Sequence, residues 1–175
     1  MKKSNVWKMS KSQKKLLDRL FKGVKAEKVK NVVDLGAGRT SVHYLANKFK
    51  NLTVKAIVYP GDERKIKPIL ECVPEKNYEI VESDIKDLKI KRVDLVLAHL
   101  FLGETEKFGD NKFSEILDQL FSIKTKYLIV VNLFRDQVIE YRLFLKYVAK
   151  KAKGIEVAYQ LSEQGDECLG FLIKF

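Results

Sequence analysis

Two short stretches of the sequence put polar side chains where apolar strands should end. The first is VVDLGAGRTS, residues 32–41, in which an acid, Asp34, precedes Gly36, Ala37 and Gly38. A strand that turns through glycines into a helix presents free backbone N–H groups at the helix start, and these favour polar or anionic ligand groups. Glycine also lets the chain turn tightly and lets a ligand approach the backbone closely. A carboxylate at the end of a buried strand needs partners, so Asp34 is read as ordering the glycine turn. The second stretch is VDLVLAHL, residues 93–100, which closes an apolar run with His99. A histidine over a cleft can take a proton from a substrate oxygen or nitrogen near neutral pH. Glu104 is close enough in sequence to orient it. No cysteine stands near either strand end, which argues against a cysteine nucleophile.

The elements that must position these groups follow from hydrophobic period. Ser10 or Ser12 can cap a helix carrying Leu16, Leu17, Leu20, Phe21 and Val24 at helical spacing, with Gly23 marking its end. Strands and helices then alternate. Strands are predicted at 30–35, 52–59, 78–83, 92–98 and 126–132, and helices through about 49, from Asp62 to Cys72, around Phe113–Phe121 and over 136–152. Such alternation predicts a mostly parallel sheet with helices on both faces, a three-layer α/β/α sandwich. The strands at 155–161 and 167–175 are joined by too short a loop to be parallel, so they form an antiparallel C-terminal hairpin.

In an open sheet of this kind, ligands bind at the carboxyl ends of the strands near the switch in strand order. A dinucleotide site would prefer a third glycine at position 41, where this chain has Ser41. DLGAG, with Asp34 two residues before Gly36, instead resembles the first motif of the class I S-adenosylmethionine-dependent methyltransferases. SDI at 83–85, VDLVLAHL at 93–100 and the terminal hairpin extend the resemblance over nearly all of residues 30–175. It implies a Rossmann-like fold with a seven-stranded sheet, S-adenosylmethionine as cofactor and methyl transfer as the activity. It implies that Asp34, Gly36, Ala37 and Gly38 hold the methionine end of the cofactor and that Asp84 and Ile85 face the adenine. Asp84 reads equally well as the cap of the IKDL turn. The family's third glycine is replaced by Thr40. Its ribose-binding acid falls on Val58, with Asp62 four residues on as a substitute. A missing charged hydrogen bond of this kind weakens binding about ten- to a hundredfold. The strand end reads AHLF rather than an NPPY-like sequence, so the family's signature for methylating DNA bases or glutamine is absent. The alternatives are a methyltransferase-like module without catalysis and, third, an NAD-dependent oxidoreductase.

Charge adds a partner class. Of the net +11, residues 1–30 hold eleven Lys or Arg against Asp18 and Glu27, while the remaining body is almost neutral. A basic segment (1–29) preceding a globular domain (30–175) fits an anionic partner: RNA, a membrane surface or an acidic substrate. The expectations are completed by the lack of a secretory signal or spanning segment, a cytoplasmic setting, Cys72 and Cys168 as reduced thiols, and no metal motif.

Overall fold

The computed structural model describes residues 9–90, 92–102, 110–134, 141–161 and 167–175. Its strands are β1 (Val32–Leu35), β2 (Val54–Val58), β3 (Tyr78–Glu82), β4 (Arg92–His99), β5 (Lys124–Phe134), β6 (Gly154–Leu161) and β7 (Glu167–Lys174). They form one sheet in the order β3-β2-β1-β4-β5-β7-β6. The first five strands are mutually parallel, and β7 runs antiparallel to both of its neighbours. Strand order reverses between β1 and β4, so the glycine turn and His99 stand on either side of the switch point. The sheet has the predicted seven strands and the predicted reversal.

The helices are α1 (Lys11–Phe21), α2 (Arg39–Lys48), α3 (Glu63–Cys72), α4 (Asp110–Ser122) and α5 (Tyr141–Lys151). All four residues of β1 are buried, as befits a central parallel strand covered on both faces. Leu95, Leu97, Ile129 and Val131 pack with α1 and α2, while Ala56 and Val58 pack with Val42 of α2 and Ile69 of α3. The alternate residues Val33, Leu35, Val96, Ala98, Leu128 and Val130 pack with Phe113 and Leu117 of α4 and Phe144 and Val148 of α5. This is the α/β/α sandwich. A short 3-10 turn, Ile85–Asp87, stands between β3 and β4, with Ile85, Leu88 and Ile90 lying partly buried against the α4/α5 side of the core. The helix expected over 136–152 is described from Tyr141 onward.

Helix α1 is part of the body. Ser10 caps it by accepting the Gln13 N–H at 3.2 Å, and Leu16 and Leu20 lie over Gly170 of β7. A Cβ on Gly170 would stand 2.7 Å from Leu20 Cδ1, so glycine there lets the helix seat on the sheet. Gly23 has the same use against Leu172 and Glu156; the helix itself has already ended at Phe21. From Gly170 to Leu172, and on to the Lys25 N–H that donates to Tyr127 Oη at 3.4 Å, the helix descends toward the amino ends of the parallel strands. Its N-terminus therefore lies at their carboxyl ends, on the side of the glycine turn and His99.

Candidate active site

The turn after β1 is built as the sequence predicts. Gly36 has φ +65°, a left-handed conformation that favours glycine, and the Ala37 N–H donates to Ile57 O at 2.9 Å, tying the turn to β2. Gly38 caps α2 in an extended conformation, φ −135° and ψ 165°. The Ser41 hydroxyl accepts the Gly38 N–H at 3.1 Å and donates to Gly38 O at 3.0 Å. The two glycines differ in kind. A Cβ on Gly36 would meet Phe101 Cδ2 at 2.6 Å, whereas one on Gly38 would have none of the described residues within 4 Å. Among the described residues nothing requires glycine at 38, and none of them fills the space before it.

Asp34 lies directly beneath, fully buried, with no hydrogen-bond partner to either carboxylate oxygen among the described residues. Burial raises its carboxyl to about 7; the neighbouring Ser41 hydroxyl and Lys65 ammonium pull it back down. The one hydrogen of the Ser41 hydroxyl, directed to Gly38 O at 3.0 Å, leaves the carboxyl oxygens without a partner among the described residues; turned to Asp34 it would lower the carboxyl. Lys65, from α3, reaches to 3.5 Å from Gly36 O.

His99 ends β4 opposite Val131 of β5. Leu95 and Leu97 face α1 and α2, so strand alternation puts His99 and Asp34 on the same side of the sheet. The ring is buried and its Nε2 has no partner among the described residues. Burial lowers its pKa from 6.5 to about 4, so the imidazole is neutral at neutral pH. Leu100, next in the chain, is the one described non-glycine residue with positive φ, 59°, held by its N–H to Val131 O at 2.7 Å. This strained turn returns Phe101 onto Gly36. Glu104 lies outside the described residues.

On the other side of β1, Val58 closes β2 fully buried. Asp62 stands at the N-cap of α3 without making a capping bond, and pairs with Arg64 at 3.3 Å. Asp84 caps the 3-10 turn by accepting the Lys86 N–H at 3.1 Å, and Ile85 is partly buried beside it. Sequence reading missed Lys65, Glu82, Phe101 and Asn132. Glu82, at the end of β3, accepts the Gly61 N–H at 2.8 Å. Asn132, near the end of β5, is buried with Oδ1 unpartnered among the described residues. The signal for Asn132 was present: one polar residue near the end of an apolar run. His43 bonds Glu75 at 2.7 Å, a tie between α2 and the segment before β3.

A cavity of about 510 Å³ lies at the opposite, amino ends of β4 and β5, lined by Arg92, Asp94, Lys124, Lys126 and Lys151. Lys126 is engaged with Asp94 at 2.7 Å and Lys151 with Phe121 O at 2.9 Å. The orphaned polar atoms of Asp34 and His99 sit at the carboxyl ends instead. Among the described residues no cluster of three metal-ligating side chains occurs, and no helix is long and apolar enough to cross a membrane.

The two buried groups give stability opposite pH dependences. Asp34 is raised from 3.8 to about 7, so its contribution is complete below pH 3.8 and is lost as pH rises toward 7. His99 is lowered from 6.5 to about 4, so its contribution is complete above 6.5 and is lost as pH falls toward 4. Asp34→Asn removes the first dependence alone. In urea titrations at pH 5 and pH 8, wild type should lose stability relative to Asp34→Asn as pH rises; parallel behaviour would place the carboxyl near its ordinary value.

The fold is that of solved class I methyltransferases. The methyltransferase domain of bacterial CtHen1 superposes with TM-score 0.69 at 12% identity, over 93% of this chain and 97% of that one. An rRNA methylase from Escherichia coli gives TM-score 0.56 at 17% identity, over 94% of this chain. LepI, solved in complex with SAM, gives 0.59 at 15% identity, over 91% of this chain. The chain spans 66% of the E. coli enzyme and 46% of LepI. No protein-family model and no curated protein sequence matches it.

Proposed function

We propose that the chain is an S-adenosylmethionine-dependent methyltransferase acting on an anionic acceptor, RNA being the acceptor its charge best fits. The observation that carries this reading is Gly38: its backbone does not need glycine, yet a side chain there would fill the space above the α2 N-terminus. Asp34, two residues before Gly36, keeps both carboxyl oxygens without a partner among the described residues, so they are free to meet a ligand's donor groups. The residues present fit the cofactor. Asp34, Gly36, Ala37 and Gly38 would hold its methionine end, Asp84 and Ile85 would border the adenine, and Val58 and Asp62 would lie toward the ribose. Bound S-adenosylmethionine supplies an electrophilic methyl group. The chain's part would be to hold donor and acceptor aligned, with His99, kept neutral by burial, as the candidate to take a proton from the acceptor. The likeness to an rRNA methylase and the basic N-terminal segment support RNA.

Calorimetric titration with S-adenosylmethionine, S-adenosylhomocysteine and NAD tests the reading. Binding of the first two and not of NAD is expected. Binding of NAD alone would favour the oxidoreductase. Binding of none would leave a non-catalytic module, the reading that the apolar Val58 favours. The protonation of His99 is checked separately. The chain has two histidines, so its ring resonances are readily assigned by NMR. With a pKa of about 4, the His99 ring should keep its neutral shifts down to about pH 5. A midpoint near 6.5 would remove the basis for a permanently neutral base.

A further inference from the structure

We propose that Glu82 supplies the ribose-binding carboxylate that β2 lacks, so that a nucleoside in this cleft is gripped through its two ribose hydroxyls from the end of β3. The inference rests on the cofactor reading above. Val58, the last residue of β2, is apolar and buried, and has no side-chain acceptor to offer. Glu82, the last residue of β3, is its direct partner in the parallel register. The two backbones are therefore about 4.8 Å apart, well within the reach of a glutamate side chain.

The side chain has already crossed that gap. Its Oε2 accepts the N–H of Gly61, which lies three residues beyond Val58 in the turn from β2 to α3. Gly61 has φ +73°, a conformation that glycine tolerates, and this turn carries the N–H to the carboxylate. The Ser83 N–H donates to Val58 O at 2.9 Å, which holds the ends of β2 and β3 together. Glu82 is exposed, and one backbone N–H uses only part of the roughly four acceptor positions of a carboxylate. The rest can accept two hydroxyls. Asp62, the nearest acid in sequence to Val58, is 14% exposed and paired with Arg64, so it is the less available of the two. A carboxylate here also disfavours a phosphate on the ribose, because like charges would meet.

Glu82→Gln separates a ligand-binding role from a loop-holding one. Glutamine keeps an oxygen acceptor for Gly61 N–H and removes the charge. The probes are S-adenosylhomocysteine and its 2′-deoxy counterpart, titrated by calorimetry into the full chain. Wild type should prefer the ribose ligand about tenfold or more. Glu82→Gln should weaken S-adenosylhomocysteine about ten- to a hundredfold and the deoxy ligand much less, so that the preference disappears. Adding Val58→Asp to Glu82→Gln should restore much of it. The inference is overturned if Glu82→Gln keeps the preference, or if both ligands weaken equally, which would make Glu82 a loop staple. Wild-type binding with an unaffected variant sinks this inference alone. Failure of wild type to bind either S-adenosylmethionine or S-adenosylhomocysteine sinks the cofactor reading and this one together.

Discussion

Gly38→Val is expected to lower affinity for S-adenosylmethionine by more than about a hundredfold while leaving the domain folded, a loss of about 3 kcal/mol or more in binding. The expectation comes from the difference between the two glycines of the turn. Gly36 sits at φ +65°, and a side chain there would also strike Phe101, so Gly36→Val should destabilise the fold by about 2–4 kcal/mol. Lost binding in that variant would say little. Gly38 is extended, φ −135°, and a Cβ on it meets no atom of the described residues within 4 Å. Its replacement changes only the helix cap, at less than about 1 kcal/mol, and the Ser41 hydroxyl still bonds its N–H and C=O. Urea denaturation and calorimetric titration on one preparation decide the matter. Wild-type affinity in a folded Gly38→Val would mean that the space before α2 is not the cofactor site.

Much of this arrangement was written in the sequence, and the reason is locality. The turn after β1, the cap of α1 and the terminal hairpin are each specified by residues within about a dozen positions of one another. His99 was legible because a polar residue at the end of an apolar strand has a fixed place in an open sheet. Val58 was legible as an absence. What could not be read is what different elements bring to one point. Lys65 comes from α3 to the carbonyl of Gly36, Phe101 folds back across the switch point, and Glu82 reaches from β3 to Gly61. These depend on strand register and on the direction in which a turn leaves its strand, here set by Leu100 at φ 59°. Gly23 shows the same limit in reverse. It resembles a helix stop by position, but its missing side chain serves the packing of α1 against β6 and β7. Asp34 was expected to bond the loop N–H groups; the loop instead satisfies itself through Ser41 and Ile57, and leaves the carboxyl oxygens without partners among the described residues.

Reversing Lys11, Lys14, Lys15 and Lys22 to Glu should weaken RNA binding about a thousandfold at low salt and leave S-adenosylmethionine affinity unchanged. Lys11, Lys14 and Lys15 are exposed on the helix, and Lys22 is exposed at its C-cap, while the other face of the helix is locked to the sheet by Leu16, Leu17, Leu20 and Phe21. The charge is therefore carried on a fixed surface. Lys14 is paired with Asp18 at 3.5 Å, but both are well exposed and the pair leaves the surface strongly positive. Because α1 begins at the carboxyl ends of the strands, an RNA lying along it would pass the end of the sheet where Gly38 and His99 lie. If the lysines meet four phosphates, wild-type affinity should fall about a hundredfold between 50 and 200 mM salt, since each neutralised phosphate releases counterions. The charge-reversed variant should lose both the affinity and the slope. New glutamates at positions 11 and 14 fall in the first turn of α1, where negative charge is favourable, so the helix itself should persist. Fluorescence anisotropy with a labelled single-stranded RNA at the two salt concentrations reads the outcome, with circular dichroism as the folding check. Absence of RNA binding at 50 mM salt, or binding that survives the reversals, would remove RNA as the acceptor class and leave a small acidic acceptor, recognised within the cleft beside His99, as the reading to pursue.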